Sequence, residues 1–253
     1  EKRRAPRPPR LQADPRLSPN YPGNLYNGMI HPLLTYGIKG AVWYQGESNA
    51  KSIESSEHYR VQLDRMIRSW RKGWGQDFPF YSVQLPNFKK PVGVPVDTKA
   101  TWPLIRESFV HVAQNTPGVA TSTTIDVGEA GNIHPGNKQE VGRRMALTIL
   151  NKTYGKDTPT TPFMEKFTVN GDEVEIRFAY TGTGLEAKGG GPLKTFAMAG
   201  ADKQFVAAEA KIVSRGGADV VVVRAEGVTK PVAVRYAWLD NPEGCNLFSK
   251  EGL

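Results

Sequence analysis

The sequence predicts an α/β domain, a parallel sheet with helices on both faces, followed by a small antiparallel β domain. Two observations carry this. Between about residues 25 and 158, short apolar runs alternate with helical stripes, and strand–helix–strand alternation is satisfied by a parallel sheet covered by helices. Beyond about residue 158 the helical stripes stop, and turn signals separate short runs of alternating apolar residues.

The elements follow in order. Lys39 to Tyr44 (KGAVWY) is a buried-strand candidate. Tyr59, Leu63, Met66, Ile67 and Trp70 form one stripe at helical spacing, which predicts a helix from about Ile53 to Lys72. Pro79 to Leu85 reads as the second strand, and Trp102 to Val112 as the second helix. Val119 to Ile125 is rich in β-branched residues and reads as the third strand. Asn137 can cap a third helix, with Glu140 three residues on and Val141, Met145 and Ile149 on one face. Asn170-Gly171 then marks a hairpin, followed by Val174, Ile176 and Phe178 in alternation. Asp219 to Arg224 and Pro231 to Trp238 are further strands, and a sandwich of sheets is expected over residues 159–253.

Bulk properties narrow the function classes. The 253 residues carry a formal net charge of +8. Much of it sits in Lys2, Arg3, Arg4, Arg7, Arg10 and Arg16, interleaved with prolines. Residues 1–24 therefore read as an extended linker rather than a nucleic-acid surface. No apolar run approaches the ~20 residues of a membrane span. The single cysteine, Cys245, excludes an intrachain disulfide, and its polar loop does not suggest a nucleophile. With one cysteine and four scattered histidines, no zinc-type ligand spacing is present, and Gly189-Gly190-Gly191 lacks the helix of a phosphate loop. No metal or cofactor is expected.

In an open α/β sheet, ligands bind beyond the carboxyl ends of the strands. The first strand ends in Gln45-Gly-Glu47-Ser-Asn49, the second at Gln84 and Asn87. The third ends at Asp126 and runs through Glu129 to His134. These groups should share one edge of the sheet. His58 and His111 fall inside predicted helices, and His31 lies in a short stretch before Pro32. His134 differs, being in a strand-end loop with carboxylates nearby, the setting acyl transfer needs for a proton acceptor. Gly46-Glu-Ser48-Asn-Ala50 also mimics a nucleophile elbow, so Ser48 is a rival nucleophile.

Gly40-Ala-Val-Trp-Tyr-Gln-Gly-Glu-Ser-Asn-Ala50 resembles the central block of the sialate O-acetylesterase family, a branch of the SGNH hydrolases. Asn24 to Ile30, Met66 to Arg71, Phe78 to Leu85, and Ile133-His-Pro-Gly-Asn-Lys138 with Val141 to Arg144 resemble the same family. So do Phe196 to Gly200, Val234 to Trp238 and Asn246 to Leu253. The resemblance implies that residues 25–158 are the C-terminal part of a three-layer SGNH-type esterase domain that removes O-acetyl groups from sialic acids or related acetylated sugars. It implies His134 as general base, Gln45 as an oxyanion donor, and Glu47 and Asn49 as supporting groups, with Glu129 beside them on the substrate side. Relatives often place an aspartate three residues before this histidine, where this chain has Gly131. The acid partner is therefore open between Asp126, Glu129 and a backbone carbonyl. The family's Gly-Gln-Ser-Asn nucleophile block does not occur, so an N-terminal polypeptide of the same precursor is expected to supply the serine. A periplasmic or secreted location is also expected, with neither nucleic acid nor membrane as partner. Alternatives are an acetylxylan-type polysaccharide deacetylase and a non-catalytic carbohydrate-binding relative.

Overall fold

A computed structural model describes residues 14–253. Most of the expected linker lies outside the described residues. Its end is compact rather than extended: Asp14 caps a 3-10 turn at Pro15–Leu17, and the Asn24 amide donates to the Arg16 and Ser18 carbonyls.

The first domain holds three strands, β1 (Ala41–Trp43), β2 (Phe80–Val83) and β3 (Val119–Ser122), all parallel in that order. Three helices cover them: α1 (Ile53–Trp74), α2 (Trp102–Asn115) and α3 (Lys138–Tyr154). α1 starts where Ser52 and Ser55 exchange side-chain and backbone hydrogen bonds of 3.1 Å, and ends at Gly75, whose φ of 63° suits a residue without Cβ. Its stripe buries Tyr59, Leu63 and Ile67 against Phe80 of the sheet and Ile105 and Phe109 of α2. Each such side chain taken out of water contributes roughly 1.5–3 kcal/mol. The opposite sheet face presents Tyr81, Val83 and Ala120 to Val141 and Met145 of α3. That makes three layers. As expected, Asn137 caps α3, its Oδ1 accepting from the Glu140 N–H at 3.1 Å.

The two helical layers are unequal. Val42 lies level with Tyr81, on the α3 side. α3 packs mainly over β2 and β3, and Val42 is left 57% exposed. Leu25, Met29, Leu33 and Tyr36, just upstream of β1, are also exposed. Among the described residues no strand pairs with the outer edge of β1.

The second domain is the expected sandwich. β4 (Phe163–Asn170), β5 (Glu173–Ala179), β9 (Glu209–Arg215) and β10 (Ala218–Arg224) form an antiparallel sheet in the order β4-β5-β10-β9. A second sheet runs β11-β7-β8, from Ala233–Tyr236, Phe196–Ala199 and Val206–Ala207; β6 (Leu185–Ala187) and β12 (Leu247–Ser249) pair separately. Val174, Ile176, Val221 and Val223 meet Phe196 and Met198 between the sheets.

The loop after β11 joins the domains. The buried Arg106 of α2 donates to the carbonyls of Ala237 (3.2 Å) and Leu239. Asp240 accepts from the Trp102 N–H at 3.0 Å and pairs with Lys89. Asn241 accepts from the Asn87 amide at 3.1 Å and donates to the Lys89 carbonyl.

Candidate active site

β1 delivers Gln45 into a hydrogen-bonded frame. Tyr59 of α1 donates to the Gln45 carbonyl at 2.9 Å and lies 3.2 Å from its Oε1. Gln45 Nε2 donates to Asn49 Oδ1 at 3.1 Å, and Asn49 passes a hydrogen bond to Gln62. An amide nitrogen carries two hydrogens, so one stays free to bind an oxyanion while the rest of the side chain is fixed. Gly46 is forced by packing, since a Cβ there would sit 2.9 Å from Ile105. The Glu47 carboxylate turns back to accept from the Gly46 N–H at 2.9 Å. Glu47 and Asn49 thus hold the loop's shape. Burial, then the Glu47 charge, push the Tyr44 hydroxyl up to about 12.

Ser48 is exposed in a 3-10 turn, Glu47–Asn49, and α1 begins only at Ile53. It is not among the non-glycine residues at positive φ. A nucleophile elbow needs a sharp, strained strand-to-helix turn, and this loop is a different structure.

The loop after β3 is built around His134. Ile133 packs against the core of α1 and α2, and Pro135 is buried. These two anchors leave His134 exposed between them. Asn132 Oδ1 accepts from the His134 N–H at 2.9 Å. Glu129 ties both flanks, accepting from the Gly136 N–H at 2.7 Å and the Asn132 amide at 3.3 Å. The first of these bonds lowers the Glu129 pKa. Lys138, at the start of α3, places its ammonium 5.1 Å from the Tyr44 ring centroid. That cation–π contact brings the end of β1 and the histidine loop together.

Neither candidate carboxylate hydrogen-bonds to the imidazole. Both Asp126 oxygens are taken by the buried Arg144, at 2.6 and 2.7 Å. Asp126, one of the partners left open for His134, is instead hydrogen-bonded to Arg144 and neutralises a buried guanidinium, which would otherwise be costly to bury. Glu129 shapes the loop and hydrogen-bonds to backbone and amide, not to the imidazole. Among the described residues no group hydrogen-bonds to the His134 ring.

Two contacts that matter were not foreseen from the sequence. Arg144 also takes Glu140 at 2.7 Å, an i,i+4 pair whose spacing was a visible signal. Asn87 accepts from the Gly128 N–H at 2.6 Å, and a Cβ on Gly128 would fall 2.0 Å from the Asn87 carbonyl oxygen. No spacing rule announces that contact across 41 residues. Burial holds the Cys245 thiol up at about 11, so it is protonated at neutral pH and a poor nucleophile.

Hydrogen bonds from Arg143 first, then Arg144, hold the Glu140 carboxyl at about 2, below its ordinary 4.5. Because the folded value is the lower one, this contribution to stability is complete above about pH 4.5 and lost as pH falls toward 2. Thermal unfolding should show it: the wild-type midpoint drops through that window, while Glu140→Gln starts lower and falls less steeply. Parallel slopes would contradict the clamp.

The three layers and the polar groups at the carboxyl ends of the strands are those of an α/β fold with its site at the strand ends, and a solved structure gives its class. A solved carbohydrate acetylesterase from Xanthomonas citri superposes with a TM-score of 0.81 and 38% identity, over 90% of this chain and 52% of that one. The chain belongs to the family described as "Carbohydrate esterase, sialic acid-specific acetylesterase", which matches residues 17–151, more than half of its length. It is 33% identical to the sialate O-acetylesterase of Mus musculus over 153 residues, 54% of this chain and 27% of that protein. The Homo sapiens protein of the same name is 30% identical over 149 residues, 54% of this chain and 28% of that protein. The chain thus spans under a third of these curated relatives and about half of the solved one.

Proposed function

We propose that the chain forms part of an esterase that removes O-acetyl groups from sugars, sialic acids foremost, by serine acyl transfer. The observation that supports this is an immobilised Gln45 amide at the end of β1, with the loop that exposes His134 leading into an α3 whose Lys138 touches Tyr44, in a chain of this family. A serine hydroxyl attacks the acetyl carbonyl as His134 takes its proton. The free Gln45 hydrogen binds the developing oxyanion. His134 returns the proton to the departing sugar oxygen, and water then releases acetate from the acyl-serine by the same steps.

The serine is assigned to a polypeptide N-terminal to these residues in the same precursor. The bare Val42, the unpaired edge of β1 and the exposed Leu25, Met29, Leu33 and Tyr36 support this. They offer a further strand and helix an apolar place beside α3. A periplasmic or secreted location fits the same reading. The test is to assay residues 1–253 alone on p-nitrophenyl acetate, beside the Ser48→Ala variant and beside the chain co-expressed with its upstream polypeptide. Activity is expected only with the upstream polypeptide, and Ser48→Ala in that complex should keep it. Robust turnover by residues 1–253 alone, abolished by Ser48→Ala, would overturn the assignment and make Ser48 the nucleophile.

A further inference from the structure

A second polar feature lies between the two domains. Arg235 on β11 stands opposite Ala197 of β7, and Ala197 stands opposite Ala207 of β8. Residues alternate between faces along a strand. Phe196, Met198, Val234 and Tyr236 pack into the sandwich core. Arg235 therefore occupies the other face of this sheet, toward α2. Ala197 is fully buried and small, so the arginine stem can lie across it. The guanidinium carbon reaches 4.4 Å from the Phe205 ring centroid and 4.0 Å from that of Trp238.

Two stacked rings fix the plane of a guanidinium and leave its N–H edge available. Among the described residues that edge has no hydrogen-bond acceptor, and no carboxylate pairs with it within 4.0 Å. Glu107 of α2 is near enough for its charge to be felt, without contact. Arg235 is half-buried, and desolvation lowers its pKa, the cost expected of a cation short of partners. It opens on a cavity of about 1030 Å³ that Phe205, Trp238, Glu107 and Lys203 also line. Clefts at domain interfaces of roughly this size hold small ligands. Arg106 and Arg144 line it too, but their guanidinium groups are engaged, with backbone carbonyls and with Asp126. Arg235 is the cation whose fork remains open.

We propose that this interdomain cavity binds a sugar ring bearing a carboxylate, with the carboxylate held by the N–H edge of Arg235. A planar fork matches a carboxylate through two parallel hydrogen bonds. Lys203 adds a second positive charge at the wall, and Glu107 offers an acceptor to ring hydroxyls. Neither Gln45 nor His134 lines the cavity, although Gln84 and Asp126 of the neighbouring strand ends do, so the Arg235 end is distinct from the residues proposed for hydrolysis. The choice of a sugar rests on the carbohydrate-esterase reading; the choice of a carboxylate rests on Arg235 alone.

Isothermal titration of the full chain with D-galacturonate, D-galactose and acetate separates the parts of the proposal, and reads binding rather than turnover. Galacturonate should saturate with a Kd on the order of 1 mM, with galactose and acetate each at least ~10-fold weaker. Arg235→Gln and Arg235→Lys should each weaken galacturonate by ~10-fold or more. The lysine variant keeps the charge and the stem, and so tests the fork even where the glutamine variant folds poorly. Equal binding of galactose would overturn carboxylate recognition. Equal binding of acetate would overturn the sugar. No saturable binding, or wild-type affinity in both variants, would overturn the site itself. Esterase activity of the complete enzyme is unaffected by any of these results, so failure here is distinct from failure of the hydrolase reading.

Discussion

Replacing His134 with alanine in the complete esterase is expected to lower kcat on an acetyl ester by ~10³-fold or more, the scale seen when a triad member is removed. The fold should survive. The ring is exposed, and the loop is held by its neighbours: Ile133 in the core, Pro135 buried, and Glu129 tied to Gly136 and Asn132. The backbone hydrogen bond from His134 to Asn132 does not need the side chain. Circular dichroism and the unfolding midpoint should match wild type. Near-normal turnover in a folded variant would remove His134 from the mechanism. Asp126→Asn is the contrasting case. It breaks the clamp on Arg144, so its damage should register first in the unfolding midpoint.

Gln45→Ala is expected to cost ~10²–10³ in kcat, the usual loss for one oxyanion donor. The same change also removes hydrogen bonds to Tyr59 and Asn49. Asn49→Ala separates the two effects, because it loosens the frame while leaving the Gln45 amide in place. A kcat loss in Gln45→Ala well beyond that of Asn49→Ala supports the oxyanion role. A change confined to KM would make Gln45 a substrate contact.

The layered fold was readable in the sequence because its signals are local and repeated. The stripe from Tyr59 to Trp70 gave α1 its start at Ile53, and β-branched Val119 to Ile125 gave β3. Strands came out shorter than their apolar runs: Lys39, Gly40 and Tyr44 lie outside β1, which spans only Ala41–Trp43. Strand-end logic also assigned Gln45 and His134 to one edge; what the structure adds there is a contact between their neighbours, Lys138 and Tyr44. What composition could not give was the partner of each charge. Asp126 is eight residues from His134 yet faces Arg144, eighteen residues on in α3. A buried guanidinium with two open forks attracts a carboxylate more strongly than an exposed imidazole does, and burial is not written in spacing. The same holds for Asn87, whose use depends on two loops meeting in space.

Asn87 has a consequence for how separable the two domains are. One side chain accepts from Gly128, six residues before His134, and donates to Asn241, beyond the last strand of the second sheet of the sandwich. The sandwich is therefore not a detachable module hung on a finished catalyst. Its 237–241 loop is a keystone for the other domain, and a truncation at the boundary near residue 159 would withdraw it. Random mutagenesis of the gene should accordingly recover esterase-defective lesions at Asn241 and Asp240, far along the chain from any residue that touches the acyl group. Selection would see the two domains as one unit of inheritance.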